Sequence, residues 1–165
     1  MGRENLFPSY NRREFIAGST FLSLVLPVLM GESVNFLIKK TALDYLRKNY
    51  PSWQGLAAWY STKKEECLGC REDLIMANGK ELRDHGVCTL ACNKIPLNRV
   101  VLVLNQENDV TVIAQVTDRG EQLEKERLAD LNVGLRNALR IDPNQGVASV
   151  EIIELPCQEL LQTIT

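Results

Sequence analysis

An acid, a base and a glycine follow the most strand-like segment of the sequence. Residues 110–116, "VTVIAQV", are β-branched and aliphatic, and Asp118, Arg119 and Gly120 come two positions later. A carboxyl group held at the end of a rigid strand can exchange a proton with a substrate, although an acid in a turn can equally pair with the neighbouring base. Asp118 is therefore the first candidate for acid–base chemistry, and a structural Asp118–Arg119 pair is the alternative.

Cysteines form the second reactive group of the sequence. A Cys-x-x-Cys (Cys67, Cys70) precedes a Cys-x-x-x-Cys (Cys88, Cys92), and Cys157 lies near the C-terminus. This spacing is typical of zinc sites in cytosolic proteins and of disulfides in oxidising compartments. We expect disulfides and no bound metal, with Cys67 or Cys70 paired to Cys88 or Cys92. Cys157 is expected to be a free or intermolecular thiol.

The N-terminal segment, residues 1–33, decides between these compartments. Arg12 and Arg13 precede an uncharged, mostly apolar stretch at 15–31, which is the layout of a signal peptide rather than of a buried helix. The paired arginines, followed by Glu14, Phe15 and Ile16, resemble the twin-arginine export signal of bacteria. We therefore expect a periplasmic or secreted protein. The only membrane contact expected is through this segment, which is either cleaved or retained as an anchor.

Composition limits the remaining function classes. The chain has 165 residues, of which 45% are hydrophobic and 24% are charged, enough for one core. Its 19 basic and 21 acidic residues create no field that would attract nucleic acid. We expect one folded domain, no nucleic-acid partner and no cofactor.

The elements that must position Asp118 can be predicted from periodicity. Residues 34–54 have an approximate helical stripe and are expected to be a helical linker, stopped by Pro51. Strands are expected at 55–61, 99–105, 110–116 and 148–155, and a short helix is expected after Asn132 as its N-cap. Closely spaced strands with one small helix favour a compact β-barrel over 55–156, followed by a tail at 157–165.

Five ordered blocks carry a resemblance to a known family. They are "AAWYS" (57–61), "MANGKEL" (76–82), "TLACNKIPLNRVVLVLN" (89–105), "VIAQVTDRG" (112–120) and "RLADLNVGLRNAL" (127–139). In order and approximate spacing they resemble the RlpA (rare lipoprotein A) family. The resemblance implies a mainly-β fold, a six-stranded double-psi β-barrel with one or two short helices. It also implies a lytic transglycosylase that cleaves peptidoglycan strands to 1,6-anhydro products.

The same resemblance implies roles for individual residues. Asp118 would act as acid and base in turn, with Glu81 or His85 as helpers. The sequence departs from the family at two positions, because Cys92 stands where the family has histidine and Lys80 stands where it has an acid. These departures keep a second hypothesis open, a non-catalytic barrel that binds wall glycan or a partner protein.

Four residues are candidates for holding the glycan: Trp59, Tyr60, Asn78 and Arg119. Trp59 and Tyr60 could form a stacking surface for sugar rings. Aromatic residues in a strand are also common core residues, so the structure must decide between the two placements.

Overall fold

The structure is a computed structural model that describes residues 36–63, 74–120, 123 and 127–156. The chain divides into two compact units, Met1–Leu43 and Asp44–Thr165. The predicted export segment and the predicted tail, together with Cys67, Cys70 and Cys157, lie outside the described residues. Among the helices that are described, none combines the length and the apolar character needed to cross a membrane.

Helix α1, Phe36–Asn49, precedes the barrel and ends just before Pro51. This helix lies within the region 34–54 that was predicted to be a helical linker. Strand β1 begins at Ser52, so residues 52–54 belong to the barrel. The second half of α1 is fastened to the barrel by Arg47, whose guanidinium donates hydrogen bonds of 2.6–3.1 Å to the buried carboxylate of Glu151.

Six strands form a closed barrel in the order β1-β5-β2-β4-β3-β6. The strands are β1 (Ser52–Tyr60), β2 (Thr89–Ala91), β3 (Val100–Asn105), β4 (Thr111–Asp118), β5 (Ala129–Asn132) and β6 (Ala148–Glu154). Neighbours β1/β5 and β2/β4 run parallel, and the other four pairs run antiparallel. This closed, mainly-β barrel, with two helices among the described residues, confirms the predicted fold class.

The interior of the barrel is an apolar core built from rows of residues in register. One row crosses four neighbouring strands through the pairs Trp59–Leu131, Leu131–Leu90 and Leu90–Val116, and all four side chains belong to the core cluster. Successive residues of a strand face opposite sides of the sheet. The residues beside this row therefore lie on the outer face of the barrel.

Those neighbours form what we call the outer row, Ala58, Asp130, Ala91 and Asp118. Ala58 pairs with Asp130, Asp130 with Ala91, and Ala91 with Asp118. The register between β2 and β4 shifts at this point, because Leu90 pairs with Val116 and the next residue, Ala91, pairs with Asp118. The irregularity skips Thr117 and brings Asp118 into line with Ala91.

Helix α2, Val133–Ala138, follows β5 directly and confirms the predicted N-cap. The side-chain oxygen of Asn132 accepts a 2.9 Å hydrogen bond from the Leu135 amide and a 3.1 Å bond from the Thr89 amide. Its amide group donates to the carbonyls of Arg83 and Val87 at 2.9 and 3.0 Å. This buried side chain therefore joins β2, α2 and the loop before β2.

Candidate functional site

Asp118 ends β4 on the outer face of the barrel, but its side chain is shielded from water. The residue is 1% exposed. Its Oδ1 atom accepts hydrogen bonds from the backbone amides of Ala77 at 2.8 Å and Arg119 at 2.9 Å. Two backbone amides from different segments thus share one carboxylate oxygen, so Asp118 acts as a structural anchor at the end of β4.

A hairpin of residues 74–82, which we call the site hairpin, covers Asp118. It is closed by hydrogen bonds from the Met76 amide to the Lys80 carbonyl at 2.9 Å and from the Leu82 amide to the Leu74 carbonyl at 2.7 Å. Gly79, at its tip, has a φ of +81°, a backbone conformation that glycine adopts without strain. The sequence "MANGKEL" therefore specifies a tight turn that projects from the barrel.

Asn78, a predicted glycan-binding residue, fastens this hairpin to the barrel. Its backbone amide donates to the Thr117 carbonyl at 3.1 Å, and its side-chain amide donates to Oδ1 of Asn98 at 3.0 Å. The Asn78 Oδ1 atom in turn accepts a 3.1 Å bond from the Lys80 amide. The structure thus gives Asn78 a role in positioning the site hairpin.

Apolar side chains fill the space beneath the site hairpin. Met76 and Leu82 form a buried cluster with Tyr60, Ala91 and Leu123. Each of these five residues is 8% exposed or less. The part of the outer face around Ala91 is therefore covered rather than open as a groove.

Trp59 and Tyr60 do not form the exposed stacking surface suggested as one possibility from the sequence. Trp59 is 3% exposed and lies in the barrel core, where the guanidinium carbon of Arg136 is 5.5 Å from the centroid of its ring. Tyr60 is 8% exposed and belongs to the cluster beneath the site hairpin. Trp59 points inward because successive residues of a strand face opposite sides of the sheet. Tyr60 points outward, where the site hairpin covers it.

Arg119 and Asn93 tie the end of β4 to the segment after β2. The Arg119 guanidinium donates hydrogen bonds to the backbone carbonyls of Cys92 and, at 3.2 Å, Asp118. Asn93 donates from its side chain to the Gly120 carbonyl at 2.8 Å and accepts from the Gly120 amide at 3.2 Å. The Arg119 side chain therefore links the carbonyls of Cys92 and Asp118, and its backbone amide bonds to the Asp118 carboxylate.

Asp130 is the accessible carboxylate of the outer row, and the sequence interpretation did not select it. It lies one strand beyond Ala91 from Asp118, so the two α-carbons are roughly 10 Å apart. Its side chain is 19% exposed and accepts hydrogen bonds from Arg127 at 2.8 and 3.3 Å. The available signal was the acid in "ADLN" (129–132), within a block already matched to the family.

Glu81 and His85, the predicted helpers, occupy different positions relative to Asp118. Glu81 is exposed on the site hairpin, where its backbone pairs with Ile75. His85 is exposed in the loop whose Arg83 and Val87 carbonyls bind Asn132. Asn132, which binds this loop, lies two residues after Asp130 in β5. The loop that carries His85 is therefore attached to the barrel two residues beyond Asp130.

Cys88 lies directly before β2 and Cys92 directly after it, and neither is bonded to another cysteine of the described residues. Cys88 is half-buried and Cys92 is fully buried in the core. Burial raises the pKa of both thiols, and in Cys92 bonds from the Lys94 and Ile95 backbone partly oppose that increase. Since Cys67 and Cys70 are outside the described residues, the disulfide pairing stays a prediction. Within the described ranges, no group of three His, Cys, Asp or Glu side chains could hold a metal ion.

Sequence comparison identifies relatives that share one name. No protein-family model matches the chain. The chain is 32% identical over 123 residues to a Rickettsia felis protein named endolytic peptidoglycan transglycosylase RlpA, covering 74% of this chain and 50% of the relative. It is 31% identical over 122 residues to the Rickettsia typhi protein of that name, covering 74% and 36%. The chain thus spans half or less of the length of these curated relatives.

Comparison with solved structures gives several similar chains. One is the Streptomyces papain inhibitor, with a TM-score of 0.43 and 18% identity, covering 62% of this chain and 94% of that chain. Another is the apo expansin of Clavibacter michiganensis, with a TM-score of 0.43 and 16% identity, covering 64% of this chain and 50% of that chain.

Proposed function

We propose that this chain belongs to the RlpA family and acts on bacterial peptidoglycan, cleaving glycan strands to 1,6-anhydro products. Two relatives with 31–32% identity are named endolytic peptidoglycan transglycosylases, and the aligned 74% of this chain is long enough to include most of the barrel. Peptidoglycan lies outside the cytoplasm, which agrees with the export segment at residues 1–33. We therefore place the protein in the periplasm or outside the cell, with the twin-arginine route as the proposed path.

The single observation that carries the proposal is the outer row, with Asp118 and Asp130 on either side of Ala91. The reaction needs an acid that protonates the leaving oxygen and a base that takes the proton from the 6-hydroxyl of the same strand, and one carboxyl group can do both in turn. No water is consumed. The reaction therefore requires from the protein one carboxyl group placed beside the bound glycan.

We assign the proton transfers to Asp130 and the positioning of the site to Asp118. Asp130 has a side chain that is 19% exposed, and two hydrogen bonds from Arg127 hold it in place. Asp118 is 1% exposed and its Oδ1 atom already accepts two backbone amides. The family resemblance points to Asp118 instead, so the two carboxylates need matched variants.

Digestion of isolated sacculi, with the products identified by mass, tests this assignment. Asp130→Asn should reduce release of anhydro products by a factor of about 10² to 10⁴, the usual loss for a general acid. Glu107→Gln, in the exposed turn between β3 and β4, is the matched control and should stay within about threefold of the unmodified protein. If Asp118→Asn abolishes the product while Asp130→Asn has normal activity, the acid and base roles return to Asp118.

A non-catalytic barrel is the second candidate, and one observation favours it. The face that holds Asp118 is filled by Tyr60, Met76 and Leu82, and the family's acid and histidine positions hold Lys80 and Cys92. Under this alternative the protein would sediment with sacculi without releasing any anhydro product. The Asp118→Asn and Asp130→Asn variants would then bind as the unmodified protein does.

A further inference from the structure

Three cations without a described carboxylate partner lie around the C-terminal ends of β2 and β4. Lys80 is on the site hairpin, which is docked on Thr117 and Asp118, and Lys94 lies two residues after Cys92. Arg119 contacts the Cys92 carbonyl. Lys80 and Lys94 are exposed and Arg119 is half-buried. The backbone bonds of the hairpin and of Arg119 hold all three residues at one end of the barrel.

Three other arginines are paired with acids. Arg47 pairs with Glu151 at 2.6 Å, Arg99 with Glu154 at 3.2 Å and Arg127 with Asp130 at 2.8 Å. Of the acids at the site end, Glu81 is exposed on the hairpin, whereas Asp118 binds backbone amides. The described residues at this end therefore present positive charge beside the outer row.

We propose that Lys80, Lys94 and Arg119 form a rim that binds carboxylates carried by the glycan strand. This inference rests on the proposed action on peptidoglycan and names the part of the polymer that the site recognises. Every muramic acid residue carries a lactyl group that ends either in a free carboxylate or in a peptide with carboxylates of its own. Cationic side chains next to the strand would bind either form and would discriminate against uncharged polysaccharide.

Lys80 gives the rim its distinguishing feature. It stands where the RlpA resemblance places an acid, and Glu81, the next residue, is the exposed acid of the hairpin. The Asn78 side chain accepts a 3.1 Å bond from the Lys80 backbone amide, and the space around Gly79 is open. The exposed ammonium group of Lys80 can therefore meet an anionic strand at the hairpin tip.

Sedimentation binding with four insoluble probes tests the proposal. The probes are intact sacculi, sacculi stripped of peptides by an amidase, stripped sacculi whose carboxylates have been converted to neutral amides, and chitin. The rim predicts binding to the first two, and loss of binding to the neutralised sacculi and to chitin. Raising the salt concentration should weaken the first two interactions. Stronger binding to intact than to stripped sacculi would assign recognition to peptide carboxylates, and the reverse would assign it to the lactyl carboxylate.

Charge-neutral variants locate the contact. Lys80→Gln and Lys94→Gln should each weaken binding to sacculi by about two- to fivefold, as expected for a partly solvated ion pair. Lys48→Gln, an exposed lysine at the end of α1, is the matched control and should bind normally. Equal binding to charged and neutralised sacculi, or normal binding by both rim variants, would overturn the proposal.

Failure of this inference can be distinguished from failure of the proposed function. Release of anhydro products at the same rate from charged and neutralised strands would refute carboxylate recognition by the rim. The same result would support the proposed transglycosylase activity. Carboxylate-dependent binding without any anhydro product would support the rim and refute the proposed enzymatic activity.

Discussion

The backbone amide of Ala77 donates a 2.8 Å hydrogen bond to Oδ1 of Asp118, a residue 41 positions later in the chain. This bond holds a surface hairpin on the end of a barrel strand. It also uses the carboxylate that the sequence identifies as the catalytic candidate. Asp118 therefore contributes to the folded structure whatever part it plays in chemistry.

Removing the Asp118 carboxylate should destabilise the site hairpin. Asp118→Ala removes the carboxylate that accepts the Ala77 and Arg119 amides, and should lower the free energy of unfolding by about 1.5–3 kcal/mol, the range for hydrogen bonds to a carboxylate. Asp118→Asn retains an acceptor oxygen and should cost roughly half as much. Urea denaturation measures both, and hydrogen exchange at Ala77 localises the effect. Equal stability of Asp118→Ala and the unmodified protein would contradict the anchoring role.

Asn132 should be among the most sensitive polar positions of the barrel. Asn132→Ala removes the N-cap of α2 together with the bonds to Arg83 and Val87, and should cost about 2–4 kcal/mol. Asn144→Ala, in an exposed turn, is the control and should cost less than about 0.5 kcal/mol. Thermal and urea unfolding of the two variants should differ accordingly, and a similar small loss in both would show that the Asn132 bonds are dispensable.

The Arg47–Glu151 pair should matter more than the neighbouring Arg47–Asp44 contact. Glu151 is 1% exposed, so Arg47→Met strands a buried carboxylate and should cost about 2–4 kcal/mol. The loss of unfolding free energy should lie near the lower end of this range, because the Arg47 side chain is 38% exposed. Asp44→Asn removes a 3.5 Å contact at a side chain that is 58% exposed, and should be nearly neutral. Denaturation curves in which both substitutions have the same small effect would show that Glu151 does not need Arg47.

In the reduced protein, Cys88 and Cys92 should differ in reactivity. Burial raises the pKa of both thiols above the ordinary value of 9.0, which lowers the reactive thiolate fraction at neutral pH. Half-buried Cys88 should react slowly with iodoacetamide, and faster as the pH rises, whereas Cys92 should react only after unfolding. Peptide mass analysis measures both rates. Labelling of Cys92 ahead of Cys88 in the native protein would contradict the described burial.

The raised pKa values of these two thiols determine the direction in which stability changes with pH. Because their folded pKa lies above the unfolded value, they contribute stability that is fully present below the unfolded pKa near 9.0 and is lost as the pH rises through the folded pKa. A Cys88→Ala variant should show a shallower loss in alkaline denaturation. An unchanged slope would mean that Cys88 does not titrate differently in the two states.

Much of the barrel could be predicted from the sequence, since its longer strands are rich in β-branched residues and Asn132 is a strong N-cap. β1, β3, β4 and β6 were expected near their observed positions. β2 and β5 were missed because segments of three and four residues show no periodicity. Their pairing depends on partners elsewhere in the chain, which a local pattern cannot reveal.

The site was less predictable than the fold for a similar reason. Asp118, Asn78 and Arg119 were identified from motif blocks and are brought together at one end of the barrel. The burial of Asp118 depends on the site hairpin, and the relation of Asp130 to Asp118 depends on the register of β2 between them. Neither can be deduced from residue types alone, because each arises where segments distant in sequence meet.

The strand order also sets the order in which the protein can assemble. β3 and β4 are neighbours in sequence and in space, so they can pair as soon as both are made. β1 pairs with β5 and β6. In the pair Ser52–Ile153, the two residues are separated by nearly the whole barrel sequence. Such distant contacts require closure of a long chain segment before any bond forms, which slows folding. The first strand to be synthesised is therefore the last to acquire its partners, and the barrel closes only once β6 is available.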